Sequence, residues 1–173
     1  MSNAADYHGL LNQAQLKLLL RYDSATGEFY WAANVCGRNQ KGARAAKPMA
    51  GRYSEVQIYG CRFFASHLAW LYVYGAWPKN LIDHINRNKS DDRIANLREA
   101  THSQNQANTK LSQRNKTGYK GVSFSKRDKK YYAGIKLHRK TKYLGIFPTA
   151  EEASRAVEAA RLKYFGEFAE DRT

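Results

Sequence analysis

The sequence predicts an α+β chain in two modules. Three observations carry this expectation. Short runs with period-two alternation recur along the chain, a helix with clear start and stop signals follows the last of them, and a polar stretch without periodicity, Gln106 to Thr117, separates two patterned regions. At 173 residues, 43% apolar and 13% aromatic, the chain has enough apolar side chain to build a core, which argues against general disorder.

Taken in order, Tyr7 to Leu20 has helical periodicity. Gly27–Trp31, GEFYW, and Ser54–Ala65, SEVQIYGCRFFA, alternate as strands do, and Tyr59-Gly60 breaks the second run as a hairpin turn would. His67–Tyr74, HLAWLYVY, is apolar all round and reads as a short buried helix ended by Gly75 and Pro78. Beyond the separator, Tyr119–Ser125, Lys130–Leu137 and Lys142–Phe147 read as three antiparallel strands. Thr149 followed by Glu152 is a capping-box signal and Gly166 a stop, so a helix spans the interval, with Ala150, Ala153, Ala156, Val157, Ala160 and Tyr164 on one face. In the middle strand, Ala133, Ile135 and Leu137 point toward that helix, and Tyr132, Gly134, Lys136 and His138 point to water.

Charge narrows the partners. The chain carries 29 Lys and Arg against 15 Asp and Glu, a net +14, and +8 of that excess lies in residues 111–173. Gln113 to Tyr143 holds eleven basic residues and one acid, Asp128. A polyanion is the expected partner, nucleic acid rather than membrane, because no basic amphipathic helix with a strong apolar face is present. Solubility alone is the competing reading of the charge. The longest apolar run, Leu68 to Trp77, is far short of the ~18 residues of a membrane span. Cys36 and Cys61 form no Cys-x-x-Cys pair, and the first residues, MSNAADYHGLL, lack the pattern of a secretory signal, so a reducing cytoplasm is expected.

The chemistry-bearing residues sit in DHINRNKSDDRIANLREATHSQNQAN. Asp83 and His84 are adjacent, Asn96, Asn105 and Asn108 recur at wide intervals, and together they offer carboxylate, imidazole and amide groups suited to Mg²⁺ or Mn²⁺ and also to Zn²⁺. Adjacent strand side chains point to opposite faces, so a shared role for Asp83 and His84 needs a bend or an ion between them. From Tyr22 to Thr109 the chain resembles HNH endonucleases of the phage and group I intron homing type: Asp83-His84, Asn96-Leu97 twelve residues after His84, and Asn105 nine later match in order.

The resemblance implies a ββα-metal (His-Me finger) module in which His84 is the general base and Asn96 pins the catalytic loop. It makes Asp83 and Asn105 ligands of one divalent ion, with 5′-phosphate and 3′-hydroxyl products. Asn105 stands where the family name has its last His, which favours Mg²⁺ or Mn²⁺ over Zn²⁺. His102 is an alternative ligand, and His67 reads as a hydrogen-bonded positioning residue. Asn88, Asp91, Asp92 and Asn108 read as loop, capping or phosphate-contacting residues.

The basic C-terminal block resembles the Apetala/ethylene-response-factor (AP2/ERF) DNA-binding domain through YKGV, YYAGIKL, YLGIFPTAEEASRA and FGEFA. The resemblance implies a sheet that enters the major groove, with DNA contacts at Lys120, Ser123, Ser125, Lys130, Lys136, Thr141 and Tyr143. Several of these are Arg or Trp in the plant proteins, so the plant target does not transfer. The expected organisation is a nuclease module over residues 20–109, a linker over 110–117 and a DNA-binding module over 118–170. The expected protein is a phage-encoded homing endonuclease acting on double-stranded DNA in the cytoplasm of a bacterial host, as a monomer or weak dimer. A non-catalytic DNA-binding regulator and a general phage nuclease are the alternatives.

Overall fold

The computed structural model describes residues 11–35, 40–46, 51–109, 111–137 and 140–169. Tyr7 to Leu10 of the expected first helix, and His138, lie outside them. The chain divides into two compact units, Met1–Glu99 and Ala100–Thr173.

The first unit opens with α1 (Gln13–Leu19), where Asn12 and Gln15 cap each other: the Gln15 N–H donates to Asn12 Oδ1 at 2.9 Å and the Asn12 N–H to Gln15 Oε1 at 3.0 Å. Then come the hairpin β1 (Leu20–Asp23) and β2 (Glu28–Trp31) and a second hairpin, β3 (Glu55–Ile58) and β4 (Cys61–Phe64). The second turns through Tyr59 and Gly60, both at positive φ (50° and 79°), the geometry that matches strand twist in a two-residue turn. Helix α2 (Ala65–Tyr74) follows directly and stops at Gly75 in the left-handed conformation. Leu16, Leu20, Phe29, Val56, Ile58, Leu68 and Leu71 are all at most 1% exposed and form one core. A third strand pair, β5 (Leu81–His84) and β6 (Leu97–Ala100), carries Asp83 and His84.

The second unit contains α3 (His102–Ala107) and a three-stranded antiparallel sheet, β7 (Val122–Ser125), β8 (Lys130–Leu137) and β9 (Lys140–Phe147), covered by α4 (Ala150–Phe165). Val122 and Ala133 pack with Ala153 and Val157, and Ile135 with Ala160 and Phe165. The helix turns a different edge inward than its alanines predict: Ser154, Arg161 and Phe165 are buried and Tyr164 is 38% exposed. The reason is in the partners. Arg161 Nη2 donates to the Ala107 carbonyl at 3.3 Å, while the Tyr164 hydroxyl accepts from Lys142 Nζ at 2.6 Å on the rim. At the helix start the Thr149 hydroxyl accepts the Glu152 N–H. Asn115 and Thr117 close the approach to β7 through bonds to the Tyr119 and Val122 carbonyls.

Candidate active site

In strand β5 Ile82, Asp83 and His84 are buried one after another, and alternation sends the two polar side chains to different partners. His84 Nε2 lies 3.0 Å from Asp92 Oδ1, with the two side chains 4% and 3% exposed. Asp83 Oδ2 accepts from Arg98 Nε at 3.0 Å, and Arg98 is itself only 14% exposed. Buried carboxylates of this kind are tolerable because each is paired and hydrogen-bonded.

Asn96 organises the loop between the strands. Its amide oxygen accepts the Asn86 N–H at 3.0 Å, and its Nδ2 donates to Asn86 Oδ1 at 3.0 Å and to the Asp91 carbonyl at 2.8 Å. Donor and acceptor are both required on one short planar group, which neither Asp nor Leu supplies. The loop is pinned further by Ile85 N–H to the Asn96 carbonyl and by Arg87 N–H to the His84 carbonyl, both at 2.9 Å. Beyond it Arg93 grips Asp91 at both oxygens, 2.7 and 2.6 Å, and this hydrogen bonding holds the Asp91 carboxyl below its ordinary range.

The first hairpin positions Asp92 from behind. The Tyr22 hydroxyl donates to the Asp92 carbonyl at 2.8 Å, and burial pushes the Tyr22 phenol up to about 12. A raised folded-state value means that this contribution to stability is complete below pH ~10 and lost as pH climbs through ~12. In a 295 nm titration the difference between the parent and Tyr22→Phe should therefore be a phenol ionising near pH 12; a difference near pH 10 would refute the burial.

Gly27, at φ +77°, is held against the same segment: a Cβ there would stand 2.5 Å from the Arg93 nitrogen and 2.6 Å from the Asp92 carbonyl carbon. Backbone cannot yield as a side-chain tip can, so Gly27→Ala should destabilise the protein by roughly 1–3 kcal/mol in a denaturant melt. An unchanged midpoint would show that the approach is looser than described.

The remaining residues predicted as ion ligands or DNA contacts, Asn105, His102 and the sheet residues, belong to the second unit. Asn105 is half-buried on α3, its N–H bonded to the Thr101 carbonyl at 2.9 Å. The helix is opened by a reciprocal Thr101–Gln104 box, which leaves His102 exposed in its first turn. On the sheet, cross-strand pairs bring Ser123 opposite Tyr132, Ser125 opposite Lys130, Gly134 opposite Tyr143 and Lys136 opposite Thr141. Directly opposed residues share a face, so Ser123, Ser125, Lys130, Lys136, Thr141 and Tyr143 lie together. Ser125 is committed to a turn, its Oγ 2.8 Å from Asp128 Oδ2. Lys120 Nζ reaches the Ala107 carbonyl at 3.4 Å. Lys120, Ser123, Lys136, Thr141 and Tyr143 line a cavity of about 900 Å³.

Among the described residues no group of three or more His, Cys, Asp or Glu side chains is gathered to hold an ion. In the first unit the predicted donor set is one carboxylate, Asp83, with Arg98 on one of its oxygens. A single hard oxygen donor suits an ion that keeps its waters and takes the rest of its shell from substrate phosphate, as Mg²⁺ does, and does not suit the nitrogen and sulfur cage of Zn²⁺.

Two residues escaped the sequence reading as site residues: Asp92, grouped there with loop acids, and Arg98. Comparison with known proteins places the family resemblance on this segment. Residues 63–107 match the family described as HNH endonuclease. A protein of Acanthamoeba polyphaga mimivirus named "Uncharacterized HNH endonuclease L560" is 33% identical over 100 residues, 57% of this chain and 51% of that protein. The chain thus spans about half the length of that relative. No solved structure matches. No helix among the described residues is long and apolar enough to cross a membrane.

Proposed function

We propose that this chain is a metal-dependent DNA endonuclease of the HNH homing type, in which residues 20–109 cut, 110–117 connect and 118–170 bind the target. The observation that carries the reading is the buried His84–Asp92 pair inside the segment that matches the HNH endonuclease family. With Nε2 donating to Asp92, the proton-accepting work falls to His84 Nδ1. The imidazole takes a proton from the attacking water, the water oxygen bonds to phosphorus, and the bond to the 3′ oxygen breaks. The 3′ oxygen takes up a proton from solvent, leaving a 5′-phosphate and a 3′-hydroxyl. The resemblance assigns Asp83 and Asn105 to a divalent ion, Mg²⁺ or Mn²⁺, and such an ion would supply positive charge to the scissile phosphate and the departing oxygen. Arg98 fixes the Asp83 carboxylate, and Asn96 fixes the loop that follows His84.

Target binding falls to the water-facing side of the AP2/ERF-like sheet, where Lys130, Lys136 and Tyr143 combine charge with an aromatic face. Lys136→Ala is expected to weaken DNA binding and to lower the slope of log K against log salt by about one, as loss of one phosphate contact does. An unchanged slope would remove Lys136 from the phosphate contacts. One active site per chain makes nicking by a monomer the expected event.

The decisive experiment is incubation of supercoiled plasmid with the protein and Mg²⁺ or Mn²⁺, with a chelator control. Nicking that needs the ion supports the proposal. Binding without nicking under any divalent ion overturns it in favour of a DNA-binding regulator. Mapping the cut ends separates a homing enzyme, with one recurrent site, from a general nuclease.

A further inference from the structure

We propose that Tyr53 and Phe64 form a stacking platform that receives a nucleobase beside the scissile phosphate; the inference rests on the nuclease reading of His84. Phe29, Trp31 and Phe63 of the same unit are buried at 0–5% exposure, whereas Tyr53 is 38% and Phe64 39% exposed. A single exposed ring would be ordinary. These two touch each other, with centroids 5.4 Å apart, and they belong to a row of rings that ends at the site. Phe64 meets His67 edge-on at 5.6 Å, and Tyr53 lies 5.8 Å from the His84 imidazole.

The fold holds both rings in place. Phe64 stands opposite Glu55 at the end of the second hairpin, on its outward face. Ser90 Oγ donates to the Arg52 carbonyl at 3.2 Å, tying the residue before Tyr53 to the catalytic loop. From that loop the exposed Lys89 places its ammonium 4.9 Å from the Tyr53 ring centroid.

This surface therefore offers a π-face and a positive charge next to the imidazole proposed to activate water. A nucleotide presents the complementary pair, a flat ring and a phosphate, and base–aromatic stacking tolerates any sequence because every base has a π-face. The 5.8 Å from Tyr53 to His84 is within two base steps of about 3.4 Å along a strand. A base on the platform has left its own stack, so the step being cut is held bent or open.

The test uses the full chain and a duplex containing a mapped cut, with 2-aminopurine or an abasic nucleotide placed on either side of the cut bond. Tyr53→Ala and Phe64→Ala should each lower kcat/KM by about tenfold to a hundredfold, and Tyr53→Phe should stay near the parent. Binding should change the 2-aminopurine emission at one flanking position in the parent and in Tyr53→Phe, but not in the alanine variants. An abasic nucleotide there should slow the parent to the level of Tyr53→Ala and slow that variant no further. Melting curves identify a variant that merely fails to fold, and Tyr53→Phe with the abasic substrate on the parent then decides. Parent and variants equally sensitive to the abasic site, or alanine variants as fast as the parent, would overturn the platform alone. A parent that binds DNA and never nicks it fails the nuclease reading, and the platform with it.

Discussion

Replacing His84 by alanine is expected to lower the rate of strand cleavage by about 10²–10⁴-fold and to leave DNA affinity within about a factor of two. The separation follows from where the charge lies. Residues 111–173 hold +8 of the net +14, so under the proposed function most of the electrostatic grip on DNA is expected outside the segment that contains His84. His84 is 5% exposed, too covered to be a major phosphate contact in its own right. Alanine also leaves the Asp92 carboxylate buried without its imidazole, a fault worth roughly 1–3 kcal/mol of stability. His84→Gln separates the two effects, since an amide can still donate to Asp92 but cannot accept a proton near neutral pH. Both variants should bind and fail to nick in a plasmid assay; either one cutting at the parent rate removes His84 from the proton transfer.

What the sequence made legible was whatever short-range stereochemistry determines. Tyr59-Gly60 specifies a tight turn because both residues take positive φ, and the hairpin forms there. Thr149, with a helix-forming run after it, marks the start of α4. Pairings across a loop were not legible. Asp92 follows His84 by eight residues, but residues 85–93 continue neither strand nor helix, so periodicity says nothing of the pair and only the fold-back closed by Asn96 brings the two together. Arg98 is aimed at Asp83 by the pairing of β5 with β6, again a non-local event.

The sheet supplies a subtler case. Register shifts between Ala133 and Gly134, so that Gly134 pairs with Tyr143 and Ile135 with Lys142. An unbroken ladder from Ala133–Gly145 would have put Leu144 opposite Gly134 and turned Tyr143 toward the helix. The bulge is what gives Tyr143 to the water-facing side and sends Lys142 to Tyr164 on α4. Alternation along β9 alone does not contain that information. The same limit applied to α4, where alanine spacing suggested Tyr164 as the inward ring and the fold buries Phe165, which packs with Ile135 of β8 as well as with Ala160 of its own helix.

Asp92→Ala is expected to reduce kcat on the order of a hundredfold with little change in KM, and to lower stability as well. The physical argument is tautomeric. A neutral imidazole has one donor and one acceptor nitrogen, and a carboxylate 3.0 Å from Nε2 selects the form with its proton there, leaving Nδ1 as the acceptor. Without Asp92 the ring keeps its chemistry but loses its preferred tautomer and one of its orienting contacts. The backbone of Asp92 is independently anchored by the Tyr22 hydroxyl and by the close approach of Gly27, so truncating its side chain should leave the loop in place. Asp92→Asn is the informative companion: its amide oxygen can still accept from Nε2, which preserves the tautomer, while the negative charge is gone. If orientation is what Asp92 supplies, the asparagine variant should recover most of the rate that alanine loses, and if charge is, it should be as slow as alanine. Alanine cutting within about twofold of the parent, with an intact melting transition, would mean that the pair serves only the packing of the unit.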